Sequence, residues 1–240
     1  LTEEYAKLFS EQGFQFVVRY LCPTGFSKLL TLNEAEIITN ANLNIVSVFE
    51  TTAGRTRKPS NAIDDARIAN QAAIDAKQPK GTVIYFAVDY EAISTDMDLI
   101  ESYLKQAQEQ ISGYYVGVYG SYNVIEEMYK RKACNYFWQT YAWSGGKVSY
   151  HANLYQYENA LHANGIDYDL DSSNNSVGWW NLKMIELENW EWIMLESTIK
   201  SLRKKNILTD DSWVSKVENK TITLTELSFI LMVMVDRIAK

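Results

Sequence analysis

The chain has 240 residues, enough for one large domain or a large and a small one. With 47% hydrophobic and 22% charged residues its composition is that of an ordinary globular protein, and no apolar run approaches the roughly 20 residues that span a bilayer. A net charge of −7 argues against nucleic acid and against acidic membrane surfaces as partners, since both need basic faces.

No signal peptide is visible and the chain does not begin with Met, so a trimmed N-terminus is expected. Cys22 and Cys134 stand far apart and form neither a metal spacing nor a disulfide framework. His151 and His162 do not share a helix face, and no H-E-x-x-H is present. No metal and no cofactor are therefore expected. Aromatic residues are abundant, with 16 Tyr, 8 Phe and 7 Trp. They supply core volume first, and in surplus they make flat platforms for sugars.

Taken in order, residues 2–12 read as a helix and 13–20 ("GFQFVVRY") as a strand. Thr31 and Glu34 form a capping box for the helix "LNEAEIITNAN". "LNIVSVFE" (43–50) is a second strand, followed by a Gly/Arg/Lys/Pro/Ser loop and an Ala-rich helix. "TVIYFAVDYE" (82–91) is the third strand, and Thr95 with Asp98 starts the next helix. "YYVGVYG" (114–120) precedes a helix reaching about Lys132. The runs 135–143, 152–158 and 166–172 are the fifth, sixth and seventh strands. Strands alternating with helices point to βαβ units and a parallel sheet.

Seven strands in so short a length suggest a compact (β/α)8, TIM-like barrel whose first strand lies upstream of Leu1. A doubly wound open sheet is the rival, although no G-x-G-x-x-G follows any strand. Residues 1–182 are assigned to the barrel. Residues 183–240 are assigned to a small helical unit, with a long helix over 183–205 and a second one opened by the Thr223/Glu226 capping box. A piece this small has little core of its own, so its apolar face needs a partner surface.

Alternate strand residues share a face, so Val83, Tyr85, Ala87, Asp89 and Glu91 are expected to point one way and Ile84, Phe86, Val88 and Tyr90 the other. Burial on both faces accounts for the continuous apolar run. It places Asp89 and Glu91 at the C-terminal mouth, with Cα atoms about 6.5–7 Å apart. Two carboxylates there suit glycoside hydrolysis, in which one stays protonated and the other charged. Acids at this position also serve as plain helix caps. Other strand ends add Arg19, Tyr20, Glu50, Tyr119, Gln139, Tyr141, Trp143, Gln156, Tyr157, Asp167, Asp169 and Asp171. Such a ring of aromatic, amide and acid groups fits a sugar.

These residues carry a resemblance. "YFAVDYE" resembles the D-x-E strand of glycoside hydrolase family 25, the Chalaropsis-type lysozymes. "VGVYG", "WQTYAW" and "LYQYEN…GIDYDLDSS" resemble that family's later strands. "FVVRYL", "K…LT…EA", "IYFAVD" and "WQTYAWS" are closer still to a related glycoside-hydrolase-like family of Gram-positive bacteria and their phages, over about residues 10–180. The resemblance implies cleavage of the muramic acid–glucosamine linkage of peptidoglycan at the bacterial cell wall, by a phage endolysin or autolysin. It makes Glu91 the general acid, Asp89 its electrostatic partner and Asp169 the late-strand acid, with Asp167 nearby. The lysozymes carry a further acid on strand one, which this sequence does not contain, and many members of the closer family have Asp where Glu91 stands. The C-terminal piece resembles a single S-layer homology-type helical module, which implies wall attachment or subunit association. Two other readings stay open. One is a non-catalytic glycan-binding module. The other is a thiol amidase using Cys134 and His151.

Overall fold

The computed structural model describes residues 1–163, 165–174, 177–183, 187–220 and 222–238. Seven strands form one curled sheet in sequence order: β1 (Phe16–Tyr20), β2 (Asn44–Phe49), β3 (Val83–Ala87), β4 (Tyr115–Gly120), β5 (Tyr136–Thr140), β6 (Leu154–Ala163) and β7 (Ile166–Ser173). β1 to β6 pair in parallel, and β7 returns antiparallel to β6. The sheet is thus a curled, mostly parallel half-barrel, which is the part of the expected (β/α)8 barrel that the described residues form. The last two strands are joined by a tight turn at Gly165 (φ 81°) with no room for a helix, so the sheet ends in a hairpin. The doubly wound rival fails as well, because the strand order never reverses.

Helices α1 (Glu3–Glu11), α2 (Leu32–Asn40), α3 (Ala62–Asp75), α4 (Met97–Gln110) and α5 (Tyr122–Lys130) belong to this first part of the chain. The α3 alanines 62, 66, 69 and 73 are fully buried against Ile84, Phe86, Val88 and the Tyr103 side of α4. Small side chains let the helix approach the sheet closely. The predicted start signals are realised unevenly. Thr31 accepts from Glu34 N (3.2 Å), but the Glu34 carboxylate pairs with Arg19 (2.7 Å) and does not return to its own cap. Before α4 the capping acceptor is Asp96, taking Ile93 N at 3.0 Å, rather than Thr95 or Asp98.

The concave face carries a second apolar cluster around Val46, Val48, Val83, Tyr85, Trp138 and Leu154. Gly117 makes room there, since a Cβ on it would lie 2.6 Å from the Tyr85 ring. The chain after β7 crosses the starts of β2 and β3. Ile45 and Trp180 exchange backbone hydrogen bonds (2.6 and 2.9 Å), Val83 N donates to Gly178 O (3.2 Å) and Tyr85 OH to Val177 O (2.9 Å). Gly178 takes φ 68° with Val83 only 2.0 Å from where its Cβ would be, so no other residue fits. This strap covers the N-terminal end of the concave face and leaves the C-terminal end for a site.

Helices α6 (Asn189–Lys204), α7 (Ser212–Glu218) and α8 (Leu224–Ile238) bury a cluster of their own around Trp192, Ile199, Leu202, Val217 and Ile230. The Thr223/Glu226 box closes reciprocally, at 2.9 and 3.2 Å. The predicted start of the long helix, at 183–188, lies before Asn189 and in part outside the described residues. Among the described residues, no helix is long and apolar enough to cross a membrane.

Candidate active site

A cavity of about 890 Å³ opens on the concave face, bordered by β1 on one side and β7 on the other. Two acids reach it from neighbouring strand ends. Glu50 directly follows β2, and Asp89 lies two residues beyond β3. Burial pushes the Glu50 carboxyl up, the Asp89 charge and a hydrogen bond between the two carboxyls push it further, and Lys28 opposes them. A carboxyl beside a like charge and short of water holds its proton longer, so one member of the pair is set up to carry a proton while the other is charged.

The loops that carry these acids are tied together. Thr56 and Tyr90 share a hydroxyl contact at 3.0 Å, the Arg57 guanidinium lies 3.9 Å from the centre of the Tyr90 ring, and Arg57 pairs with Asp96 at 3.3 Å. Next to this clamp Arg55 grips buried Asp65 with two hydrogen bonds (2.8 and 2.5 Å), and Tyr103 OH donates to the same carboxylate (2.7 Å). Tyr90 is therefore drawn under the β2–α3 loop. Glu91 is exposed and is not among the residues lining the cavity.

From β7 come Asp169 and Asp171, both facing the cavity because the strand continues through them. Their surroundings differ. Asp169 accepts from Gln156 Nε2 and from Ala160 N, each at 2.9 Å. That second donor exists because β6 is irregular between Gln156 and Leu161, and Ala160 sits at φ 57°. Gln156 is itself oriented: its Oε1 accepts from Tyr119 OH (2.8 Å) and Thr140 Oγ1 (2.9 Å), which leaves the amide nitrogen for Asp169. Asp171 is held by Trp138 Nε1 at 2.7 Å, and burial pushes its carboxyl up to about 7 despite that bond, with the Asp169 charge adding to the rise. The Tyr20 phenol, at the end of β1, is pushed up to about 12 by burial and then by Glu50, Asp169 and Asp89. A cavity with proton-holding carboxyls beside charged ones can donate a proton to a leaving oxygen and stabilise positive charge next to it.

The structure gathers Arg19, Tyr20, Glu50, Asp89, Tyr119, Gln156, Asp167, Asp169 and Asp171 around this one cavity. It does not bring Glu91, Gln139, Tyr141, Trp143 or Tyr157 there. Gln139 is fully buried on the opposite face, where its amide binds Lys147 O and Ser149 N at 2.7 Å each. Tyr141, Trp143 and Tyr157 are 41–46% exposed outside the lining, with Trp143 at φ 54°. Cys134 and His151 are apart in role as well. Burial pushes the Cys134 thiol up to about 12, away from thiolate chemistry, and His151 stacks on Tyr129 at 3.4 Å. Two site residues escaped the sequence reading. Trp138 faces inward on β5, and Lys28 reaches the cavity from the loop after β1. Strand alternation points to Trp138 once Thr140 is known to face inward, whereas Lys28 has no periodic signal and stood only as the first residue of the "K…LT…EA" run.

The match of a glycoside hydrolase-like family over most of the chain gives the class of this curled, largely parallel sheet with its acid-lined mouth. The chain belongs to the family described as Rv2525c-like, glycoside hydrolase-like domain, whose pattern matches residues 7–175. It is 29% identical over 142 residues to the uncharacterized protein FadG of Bacillus subtilis (strain 168), a match covering 55% of this chain and 25% of that protein. Among solved structures it is similar to the Tat-secreted protein Rv2525c of Mycobacterium tuberculosis, determined in complex with L-tartrate, with TM-score 0.67, 24% identity and 73% of this chain against 93% of that one. A second similar structure is an uncharacterized B. stearothermophilus protein (TM-score 0.52, 16% identity, 72% and 92% covered).

Proposed function

We propose that the chain is a hydrolase acting on the glycan strands of bacterial peptidoglycan, a muramidase-like glycosidase of the endolysin or autolysin kind that works at the cell wall. The observation that carries this reading is the Glu50–Asp89 pair. Two carboxyls from adjacent strand ends meet in one cavity, and burial and like charge hold the Glu50 proton. In this reading Glu50 donates the proton to the glycosidic oxygen, and Asp89 and Asp169 stabilise the oxocarbenium-like centre. Tyr20 and Tyr119 offer ring faces to the sugar. Asp171 serves as a second proton reservoir. Helices α6–α8, with their separate buried cluster, act as an accessory unit for wall attachment or self-association.

Mass analysis of peptidoglycan digested by the full chain tests this. New reducing-end muramic acid is expected with wild type and is expected to be lost with Glu50→Gln and with Asp89→Asn. Release of free stem peptides, or equal cleavage by both variants, would refute it. A glycan-binding module without chemistry is the second reading, favoured by the exposed Tyr141, Trp143 and Tyr157 side chains. It predicts retention on walls with no new reducing ends.

A further inference from the structure

Helix α6 is apolar on two sides. Trp192, Leu195, Ile199 and Leu202 recur at i, i+3, i+7 and i+10 and pack into the buried cluster of the C-terminal helices. Trp190, Ile193 and Met194 do not belong to that seam. At 3.6 residues per turn they fall on the opposite side of the helix, and they are 62%, 59% and 60% exposed. A helix packed on one side only carries polar residues on the other, so a second apolar stripe needs a second surface.

The open stripe has an order along the helix. Its first half is large: Trp190, Ile193 and Met194. It continues through Ser197, Ser201 and Lys204, which are exposed and are first small and then basic. The ends of α6 also differ in charge, with Glu191 in the first turn and Arg203 and Lys204 in the last. Turned end for end, this stripe fits itself. With Ser197 at the centre, Ile193 of one helix lies opposite Ser201 of the other, Met194 lies over the gap between Ser197 and Ser201, and Trp190 lies opposite Lys204. Large side chains then meet small ones, an ammonium meets an indole face, and an acidic first turn lies beside a basic last turn. A parallel arrangement would set indole on indole and ammonium on ammonium.

We propose that the C-terminal helices join two copies of this chain through an antiparallel α6–α6 contact centred on Ser197. Of the two roles given to this unit above, this selects self-association and names its surface, and it is independent of the chemistry at the mouth. The two-fold axis through Ser197 uses the stripe on both copies at once, so the assembly closes at two. The contact is only one helix face wide, so the dimer is weak, with a Kd on the order of 10 μM. Two mouths carried by one dimer hold a polymer at two points, which prolongs its retention beyond that of a single chain.

Sedimentation equilibrium of the full chain from about 1 to about 200 μM tests this. The mass is expected to rise from one chain to two and to stop there. Ile193→Glu, a change at an exposed position, should weaken association at least about tenfold while cleavage of soluble glycan fragments stays as in wild type. A pair of cysteine variants tests the geometry. Under mild oxidation with diamide, Ser197→Cys should give a disulfide-linked dimer. Ser201→Cys, whose two copies lie about 12 Å apart along the axis at 1.5 Å per residue, should give little, and wild type none. A wild type that stays a single chain throughout, including one that adheres to walls through this stripe, overturns the proposal. So does an Ile193→Glu variant that associates like wild type, a mass that climbs past two chains, or Ser201→Cys cross-linking as readily as Ser197→Cys. None of these outcomes touches the glycan reading, which stands or falls on Glu50 and Asp89.

Discussion

Asp89–Tyr90–Glu91 and Asp169–Leu170–Asp171 are both acid–apolar–acid runs at the mouth of the same sheet, yet only the second holds both acids inside the cavity. The difference is made by what grips the middle residue and the backbone around it. β7 continues through Ser173 and stays paired with β6, so alternation carries both acids inward. Beyond Ala87 the last hydrogen bond of β3 to β4 is Val88 N to Tyr119 O (2.8 Å). After it the chain obeys side-chain anchors instead: Tyr90 is buried to 8% exposure under Arg57 and Thr56. Period-two reasoning ends where the ladder ends.

The largest expected effect separates the two acids of the first run. Asp89→Asn should lower reducing-end release by roughly 10²–10⁴-fold, the span of a positioned catalytic group, whereas Glu91→Gln should stay within about threefold of wild type. A Glu91→Gln loss as deep as that of Asp89→Asn would break the comparison and return the general-acid role to Glu91.

Next comes the anchor itself. Tyr90→Ala removes a buried ring together with its contacts to Arg57 and Thr56, and should cost about 3–4 kcal/mol in denaturant unfolding. Tyr90→Phe removes only the hydroxyl contact and should cost about 1 kcal/mol. If both cost the same small amount, the clamp does not hold this loop.

What the sequence disclosed follows the same division. The strands of the concave face, the carboxylate at Asp89 and the two acids of β7 were legible because they obey local periodicity. The box at Thr223 and Glu226 was legible because it needs only four residues. Glu34 was half legible: its amide meets Thr31, but its side chain answers to Arg19, fifteen positions earlier. Gln139 was placed on the mouth when it faces away, since alternation fixes which residues share a face and does not say which face is inward. That choice is made by Trp138 packing on Tyr119 and Tyr85. The closing hairpin was missed because a strand pattern carries no mark of direction. Lys28 depends on a loop folding back onto Tyr20, a contact without a periodic signature.

The second run has its own internal contrast, readable through pH. Asp171 rises from an ordinary 3.8 to about 7. Below about pH 4 the folded and unfolded chains both hold this proton. Between there and about 7 the folded chain keeps a proton that the unfolded chain releases, so this group's contribution to stability falls as pH rises through that window and is lost above it. Asp171→Asn should remove that slope. Relative to wild type it should gain up to about 4 kcal/mol between about pH 4 and pH 8, measured by urea unfolding at each pH. An unchanged slope would mean that Asp171 is as well solvated as an ordinary surface acid.

The smallest effect concerns how Asp169 differs from Asp171. Its extra donor is Ala160 N, presented by a residue at φ 57° within the irregular part of β6. A left-handed conformation costs a β-carbon-bearing residue about 1–2 kcal/mol, and glycine escapes that cost but loses about 0.5–1 kcal/mol in chain entropy. Ala160→Gly should therefore stabilise the chain by only about 0.5 kcal/mol, and because the N–H is retained, glycan cleavage should be unchanged. Destabilisation on this substitution would mean that the bulge is held by packing of the Ala160 methyl. The donor to Asp169 would then be a by-product of that packing and not the reason the strand breaks its register.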